Sequence, residues 1–359
     1  MKAGLTPKYV SIFALLFLLA GLFYQPTHET TALLTTLLTT GWLAIVLHEL
    51  GHVLFGKLSR FNFGFFIVGP LRIENTVSGV KWKENLSWPF FGGVAMMLPP
   101  QQIKPEVLKK NWALFTAGGP TLSLVTAGAS FLSHRWTSLD FFMLAAIMNA
   151  SLFLATIIPS KIGLKSDGLV LLTLLSKSEK SQQLLEDLLV SKELLSQKPP
   201  SEWNQEYIRR AKEKDASIEN LQYALLLYYF EIARNGFPSA VNAMARYQAI
   251  PINKKNQFSL GFLIHMQQLT CFFESEGGTS VEKIVGLQQS LSKLEPVSFY
   301  RGKVIIAHLQ NDAAAAALYL QKVYQIIDEN EALYGFFKAE KTLTRLVEEK
   351  IHAKAQSLV

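Results

Sequence analysis

The sequence predicts a mainly α-helical membrane protein, in which a polytopic helical domain of about four spans with a re-entrant β-hairpin precedes a soluble all-α domain. Two observations predict this class. Of the 359 residues, 49% are hydrophobic and 18% are charged, whereas soluble domains carry about a quarter of their residues as charges. Residues 1–176 contain 13 Lys and Arg against 7 Asp and Glu, and residues 177–359 contain 22 against 21. A wholly soluble protein, a disordered chain and a collagen-like fibre are therefore excluded.

Four apolar segments are expected to cross the bilayer, at residues 9–24, 31–58, 112–132 and 139–159, since each approaches the length that a span needs. Residues 9–24 could alternatively be a secretory signal peptide. No small-x-small cleavage signature follows them, which favours a retained first helix. Residues 1–30 are then the first membrane helix and its outer loop.

The loops set the orientation. The loop at 57–110 carries eight basic residues, whereas 25–30 carries none and 133–138 carries only Arg135. The positive-inside rule therefore places the N-terminus, the 57–110 loop and everything after Pro159 in the cytoplasm of a multi-pass cell-membrane protein. Because six of the seven net positive charges lie in the apolar half, we expect a bilayer partner and no nucleic acid.

The 57–110 loop predicts structure of its own. Residues 61–84 contain two β-leaning stretches around turn-prone residues at 74–76 and 78–79, which is typical of a hairpin. Residues 87–100 are apolar but are broken by Gly92-Gly93 and closed by Pro99-Pro100. This segment is too irregular for a spanning helix, and such backbone is tolerated at membrane depth only against protein or water.

Residues 177–359 are expected to form a cytoplasmic helical domain. Three stretches, 217–251, 257–296 and 297–328, each pair an apolar helix with an amphipathic one around a break, at 235–236, 277–278 and 311–312. This pattern is loosely similar to tetratricopeptide repeats. An irregular helical bundle explains it equally well. Residues 331–354 predict one or two further helices.

The motif that carries chemistry is His48-Glu49-Leu50-Gly51-His52. Histidines at i and i+4 lie on one helical face, where they can share a zinc ion, and the glutamate between them can accept a proton from water beside the metal. Glu49 is the only acid between Glu29 and Glu74, and it lies in an apolar helix, where an ionisable group is costly and functional by default. The alternative is a buried His/Glu pair that links helices.

A catalytic zinc takes three protein ligands. Asp167, which precedes Gly168, follows the fourth apolar segment on the cytoplasmic side and could reach the histidines if 160–166 folds back inward. Asp140 lies at the outer end of its segment, and the remaining acids of this half after the motif lie in the basic loop. Asp167 is therefore the expected third ligand. It could also cap the helix that begins at Gly168.

The chain resembles the site-2 protease family of intramembrane zinc metalloproteases over residues 31–176. Besides the motif at 48–52 and Asp167-Gly168, the segments 117–120 (Ala-Gly-Gly-Pro) and 91–94 (Phe-Gly-Gly-Val) and the hairpin resemble family features. Thr156 stands where the family has asparagine before the proline, here Pro159, and the gap to Asp167 is longer. Asn149 lies on the same helical face as Thr156 and either takes that asparagine's place or makes a helix-packing contact.

The resemblance implies one Zn²⁺ per chain held by His48, His52 and Asp167, with Glu49 as the catalytic base. It implies hydrolysis of a peptide bond in or near a transmembrane segment of a membrane-bound regulator or small peptide precursor. Residues 177–359 would recruit a cytoplasmic partner or gate the substrate. The alternative is a catalytically silent membrane scaffold of the same fold. A zinc transporter would need more carboxylates and histidines across several helices.

Overall fold

The structure is a computed structural model that describes residues 6–100, 102–160, 165–253, 256–274, 280–293 and 295–356. Over these residues the chain is mainly helical and contains one small antiparallel sheet, which confirms the helical class. It divides into two compact units, Met1–Leu188 and Leu189–Val359. This division falls within a helix, whereas the boundary expected at residue 176 falls between two helices.

The first unit contains the sheet and the most apolar helices. Proline stands in the first turn of two of its helices, at Pro7 and Pro105, where the missing N–H is not needed. Its elements are α1 (Pro7–Phe23), α2 (His28–Leu58), β1 (Asn62–Val68), β2 (Leu71–Thr76), β3 (Gly79–Glu84), β4 (Val94–Leu98), α3 (Pro105–Thr137), α4 (Asp140–Ile157), α5 (Asp167–Leu175) and α6 (Glu179–Leu194), of which the last runs into the second unit.

Within the part of the chain that the structure describes, two helices are long and apolar enough to cross a membrane, Gln25–Leu58 and Asp140–Ile157. Helix α1 is apolar but has only 17 residues. The expected third span lies within α3, which carries charged residues near both ends and glycine, serine and threonine between them. The four-span topology therefore remains a prediction.

The sheet has the strand order β3-β2-β1-β4, with all neighbours antiparallel. The predicted hairpin at 61–84 is in fact three strands, which turn at 69–70 and 77–78. The turn expected at 74–76 was wrong, because those residues lie in β2. Glu74 makes ion pairs of 2.5 Å with Arg72 and Lys83, so charge pairing on the sheet outweighs the turn preference of the local sequence.

Helices α2 and α3 cross with their backbones in contact. A β-carbon on Gly51 would overlap the carbonyl oxygen of Gly118, and one on Gly118 would overlap that of Gly51. A second close approach joins the end of α4 to the start of α5, where a β-carbon on Gly168 would overlap the carbonyl oxygen of Ile157. Glycine at these positions lets the three chain segments that carry the motif residues approach one another.

The second unit is helical over its described residues and contains an extensive cluster of buried hydrophobic side chains. Its bulkiest buried side chains include Trp203, Tyr228 and Phe272. Its helices, after the end of α6, are α7 (Gln205–Glu213), α8 (Leu221–Asn235), α9 (Phe237–Met244), α10 (Gly261–Glu274), α11 (Ser280–Ser290), α12 (Pro296–Leu309), α13 (Ala313–Asn330) and α14 (Phe337–Gln356).

The predicted helix pairs correspond to α8 with α9, α10 with α11, and α12 with α13, which pack against each other in these pairs. The first break lies at Gly236, whose φ is +84°, and the third at Asp312, whose carboxylate accepts from the Ala315 N–H at 2.9 Å and so caps α13. The second break, at 277–278, lies outside the described residues. The likeness to tetratricopeptide repeats remains a prediction, and residues 337–356 form one helix.

Candidate metal centre

Helix α2 carries the motif in a part of the helix that is buried. His48 and His52 are one turn apart, their ring centroids are separated by 5.0 Å, and both side chains are buried. Thr40 and Ala44 precede them on the same face at intervals of four residues. Glu49, Gly51 and Gly56 are buried as well, so protein surrounds α2 at the motif, whereas the exposed residues of the helix lie mainly in its first half.

Each imidazole is oriented by a partner on α3. His48 Nδ1 lies 3.0 Å from the Ser123 hydroxyl, and His52 Nδ1 lies 3.0 Å from the carbonyl oxygen of Phe115. A carbonyl oxygen only accepts, so His52 donates through Nδ1 and keeps a lone pair on Nε2. This is the arrangement of a metal-binding histidine whose second nitrogen is held by an outer partner.

Asp167 completes the cluster from the first residue of α5. Its Oδ2 lies 3.3 Å from His48 Nε2 and 3.5 Å from His52 Nε2. Zinc bonds of about 2.0–2.2 Å at tetrahedral angles place ligand atoms about 3.3–3.6 Å apart. The Asp167 oxygen therefore lies at the spacing of a shared tetrahedral zinc from each of the two histidine nitrogens. The capping alternative for Asp167 was wrong, because Ser166 is the N-cap and accepts from the Leu169 N–H.

Gly119 forms the wall of this cluster on α3. A β-carbon at this position would overlap the Nε2 atoms of both His48 and His52. The space that glycine leaves open is thus the space in front of the two nitrogens that would hold a metal. The donor set, the spacing and this open space all fit a single ion.

Glu49 is next to the cluster but is not one of its ligand atoms. It points from α2 toward the start of β4, where a β-carbon on Gly93 would lie 2.9 Å from Glu49 Oε1. Gly93 has a φ of +103°, which favours glycine independently. A carboxylate beside the candidate metal ligands and against the backbone that leads into an edge strand is placed to exchange protons with a group lying between them.

The strand beside Glu49 is β4, at one edge of the sheet, while the predicted hairpin ends in β3 at the opposite edge. The edge that could pair with an extended segment near the cluster is therefore that of β4. The pairing of β4 with β1 brings a distant segment beside the site.

Sequence reasoning missed Ser123, Phe115 and the role of Gly119. A signal existed, since residues 115, 119 and 123 recur every four positions and so share one face of α3. The role of these residues depends on which helix packs against that face of α3, and the local sequence does not specify that helix.

Thr156 and Asn149 do not reach the cluster by any hydrogen bond in the described part of the chain. The Thr156 hydroxyl donates to Leu152 in its own helix at 3.0 Å. Asn149 is buried and its Nδ2 donates to Ala145 at 2.9 Å, also within α4, while its Oδ1 has no partner among the described residues. Among the described residues, Asn149 therefore makes no hydrogen bond to another helix, and its one bond lies within α4.

Within the described ranges, His48, His52 and Asp167 are the one group of three or more His, Cys, Asp or Glu residues whose ligand atoms could share a metal ion. The ligand atoms lie within 4.8 Å of one another. No family model, no curated protein and no solved structure matches the chain. The resemblance to the site-2 protease family thus rests on the motifs of this sequence alone.

Proposed function

We propose that this protein is an intramembrane zinc metalloprotease that hydrolyses a peptide bond within or near a transmembrane segment of a membrane-bound substrate. The observation that carries the proposal is the convergence of one Asp167 oxygen on the two histidine nitrogens, at 3.3 and 3.5 Å, with Glu49 adjacent. His48, His52 and Asp167 would hold one Zn²⁺. When bound, the ion would supply an activated water and polarise the scissile carbonyl.

The chain's own groups supply the proton transfers. The Glu49 carboxylate accepts a proton from the attacking water and returns it to the amine that leaves, so one residue serves as base and then as acid. Ser123 and the Phe115 carbonyl hold the two imidazole rings through Nδ1, so that both Nε2 atoms would be free to hold the ion. The peptide bond breaks between carbon and nitrogen, and water supplies the new carboxyl oxygen.

The membrane setting of the proposal is supported by exposed apolar surface. In each of the two candidate spans, 17% of the most apolar window is buried inside the protein, whereas a core helix of a soluble protein would be mostly buried. Phe13 and Phe17 on α1 are also exposed. Large exposed apolar surfaces of this kind mark membrane or protein contacts. We therefore retain four spans, with α1 and α3 as the other two and the C-terminal unit in the cytoplasm.

We further propose that the unwound substrate segment pairs with the outer edge of β4. A spanning helix hides its carbonyls in its own hydrogen bonds, and an edge strand offers unpaired groups that can replace them. In a Cys271→Ser background, Met96→Cys on β4 should form a disulfide with a cysteine-bearing substrate peptide. Val80→Cys on β3 serves as the matched edge control. Cross-linking through Val80→Cys alone would refute the assignment.

The proposal is tested with purified full-length protein in detergent. The probe is a quenched fluorescent peptide of about 20 leucines and alanines, interrupted by a central Asn-Pro that weakens its helix. Wild-type protein should contain about one zinc and cleave the peptide. Glu49→Gln should keep the zinc and lose cleavage by about a hundredfold or more. Glu29→Gln, at the exposed start of the same helix, is the control.

Two results would refute the enzyme. If the purified protein contains no zinc and cannot be loaded with zinc, the metal site is refuted. If wild type and Glu49→Gln cleave the peptide equally, the activity belongs to a contaminant. Bound zinc with no cleavage of this peptide or of others with shifted Asn-Pro positions would favour the catalytically silent scaffold.

A further inference from the structure

A cavity of about 400 Å³ lies within the second unit, far along the sequence from the metal centre. Its volume falls in the range of small-ligand sites, about 300–1,000 Å³. The end of α6 and helices α8, α10, α12 and α14 contribute to its walls. The walls are mainly apolar, with Leu194, Leu225, Phe262 and Phe336 among the lining residues. They also include two carboxylates, Glu295 and Glu340.

The two carboxylates have different surroundings. Glu340 is buried and accepts hydrogen bonds from the Tyr229 hydroxyl and from the fully buried guanidinium of Arg301, so its charge is compensated. Glu295 stands just before α12 and is half-buried against the cavity. Among the described residues, no hydrogen bond or ion pair engages its side chain. A carboxylate without a partner in an apolar setting is costly, and a cationic ligand would remove that cost.

The balance of charge selects the ligand. The lining contains two acids and no basic side chain, and Arg301, which is not part of the lining, is already paired with Glu340. An anion would meet two carboxylates. A purely apolar ligand would leave Glu295 unpaired. The walls and the free carboxylate together match an apolar body that carries one positive charge.

We infer that this cavity binds an apolar peptide segment through one lysine side chain, whose ammonium group pairs with Glu295. Lysine suits the cavity because its aliphatic stem packs on apolar walls while its ammonium group reaches the carboxylate. Apolar segments with adjacent lysines are what membrane proteins present on the cytoplasmic side of a span. Assigning the peptide to a membrane substrate rests on the proposed function. The binding itself does not.

The inference has a pH signature. Burial and the negative charge of Glu340 raise the pKa of Glu295 to about 7. The titratable groups that face it are Glu340 from α14 and the Tyr229 hydroxyl from α8, while the lining residues of α6 and α10 do not ionise. An ammonium group binds the carboxylate form. Affinity should therefore rise as the pH increases from 6 to 8, and binding at pH 6 should release a proton.

The experiment is calorimetric titration of the full-length protein in detergent at pH 7.5. One probe is an acetylated, amidated leucine pentapeptide with a central lysine, and its matched control has N-acetyl-lysine at the same place, which removes the charge and keeps the stem. We expect the lysine peptide to bind about tenfold or more tightly. Glu295→Gln should abolish that preference, and Glu349→Gln, an exposed acid on α14, should preserve it.

The outcomes separate cleanly. Equal binding of the two peptides to wild type, or binding of neither, overturns the inference. Equally tight binding of phenethylamine assigns the cavity to small amines and overturns the peptide as its ligand. Circular dichroism confirms that Glu295→Gln is folded. A His48→Ala variant should lose zinc and keep the peptide preference, so a failure of the proposed protease would not be mistaken for a failure of this site.

Discussion

At the scale of single residues, the candidate centre depends on groups that orient the motif rather than on the motif alone. Placing ionisable side chains in an apolar helix costs a few kcal/mol. Both imidazoles recover part of that cost through Nδ1 contacts to Ser123 and to the Phe115 carbonyl. These contacts leave Nε2 of each ring facing Asp167, so the ring orientation is set before any ion binds.

Gly119→Ala tests whether the space in front of the histidines is needed. The added methyl group would overlap both Nε2 atoms, so we expect zinc affinity to fall by about tenfold or more while helical content is unchanged. Gly128→Ala is the control, because nothing lies within 4 Å of a β-carbon there and α3 is otherwise the same. Competition with a fluorescent zinc chelator measures the affinity. Equal affinity in the two variants would place the ion elsewhere.

Glu295 should make stability depend on pH. Its pKa is about 7 in the folded protein, because of burial and the nearby Glu340 charge, against an ordinary value of 4.5. The folded state therefore holds the proton more tightly. The stabilisation is fully present below about pH 4.5, declines as the pH rises through 7, and is absent above it.

Calorimetric melting of the wild type and of Glu295→Gln between pH 5 and pH 8.5 measures this effect. Relative to the variant, the wild type should lose stability on the order of 2 kcal/mol across that range. Other titrating groups cancel in the comparison. A constant difference between the two proteins would show that Glu295 titrates normally.

At the scale of elements, the centre exists where three helices meet at glycines. Helix α2 supplies the histidines, α3 supplies their partners, and α5 supplies Asp167. The contact of Gly51 with Gly118 sets the distance between α2 and α3, and Gly168 sets the distance between α4 and α5. A β-carbon at any of these positions meets backbone, which cannot rotate away, so the helices themselves must move.

Gly168→Ala tests this element-level dependence. The methyl group would overlap the carbonyl oxygen of Ile157 and push the start of α5 away, taking Asp167 with it. We expect a loss of stability of about 1–3 kcal/mol and a loss of zinc binding. Gly41→Ala on α2 is the control, since its β-carbon would meet only Met148 at 3.9 Å. Zinc binding that survives in Gly168→Ala would remove Asp167 from the ligand set.

At the scale of the whole molecule, composition separates an apolar, basic half from a half with nearly balanced charges. The first 176 residues hold most of the net positive charge and the apolar helices, and the remainder is nearly neutral. The proposed orientation follows from that asymmetry, because basic loops are retained in the cytoplasm.

Cysteine labelling tests the orientation, since the chain has a single native cysteine that can be removed by Cys271→Ser. In that background, a membrane-impermeant maleimide should label Gln25→Cys in intact cells. It should label Lys177→Cys only after permeabilisation. Both positions are exposed, so both should react in detergent-solubilised protein. Labelling of Lys177→Cys in intact cells would reverse the topology.

The sequence predicted the helical class, the strand-forming loop, and the residues that could bind a metal, because these are carried by composition, period and motif chemistry. It misplaced the hairpin turn at 74–76, since the local preference of Asn75 for turns competes with the ion pairs that Glu74 makes with Arg72 in the same strand and with Lys83 in β3. It also overlooked β4, because a short segment after two glycines has no regular alternation of its own.

The sequence by itself determined that His48, Glu49 and His52 lie in one apolar segment, because composition is a local property. It also determined that the two histidines are neighbours on the helix surface, because helical geometry places residues four positions apart side by side. Only the tertiary structure decided that Asp167, Ser123, Gly119 and β4 meet them. Those contacts join segments dozens of residues apart, and they depend on helix crossings at glycines and on strand pairing, whose energies are summed over the whole fold.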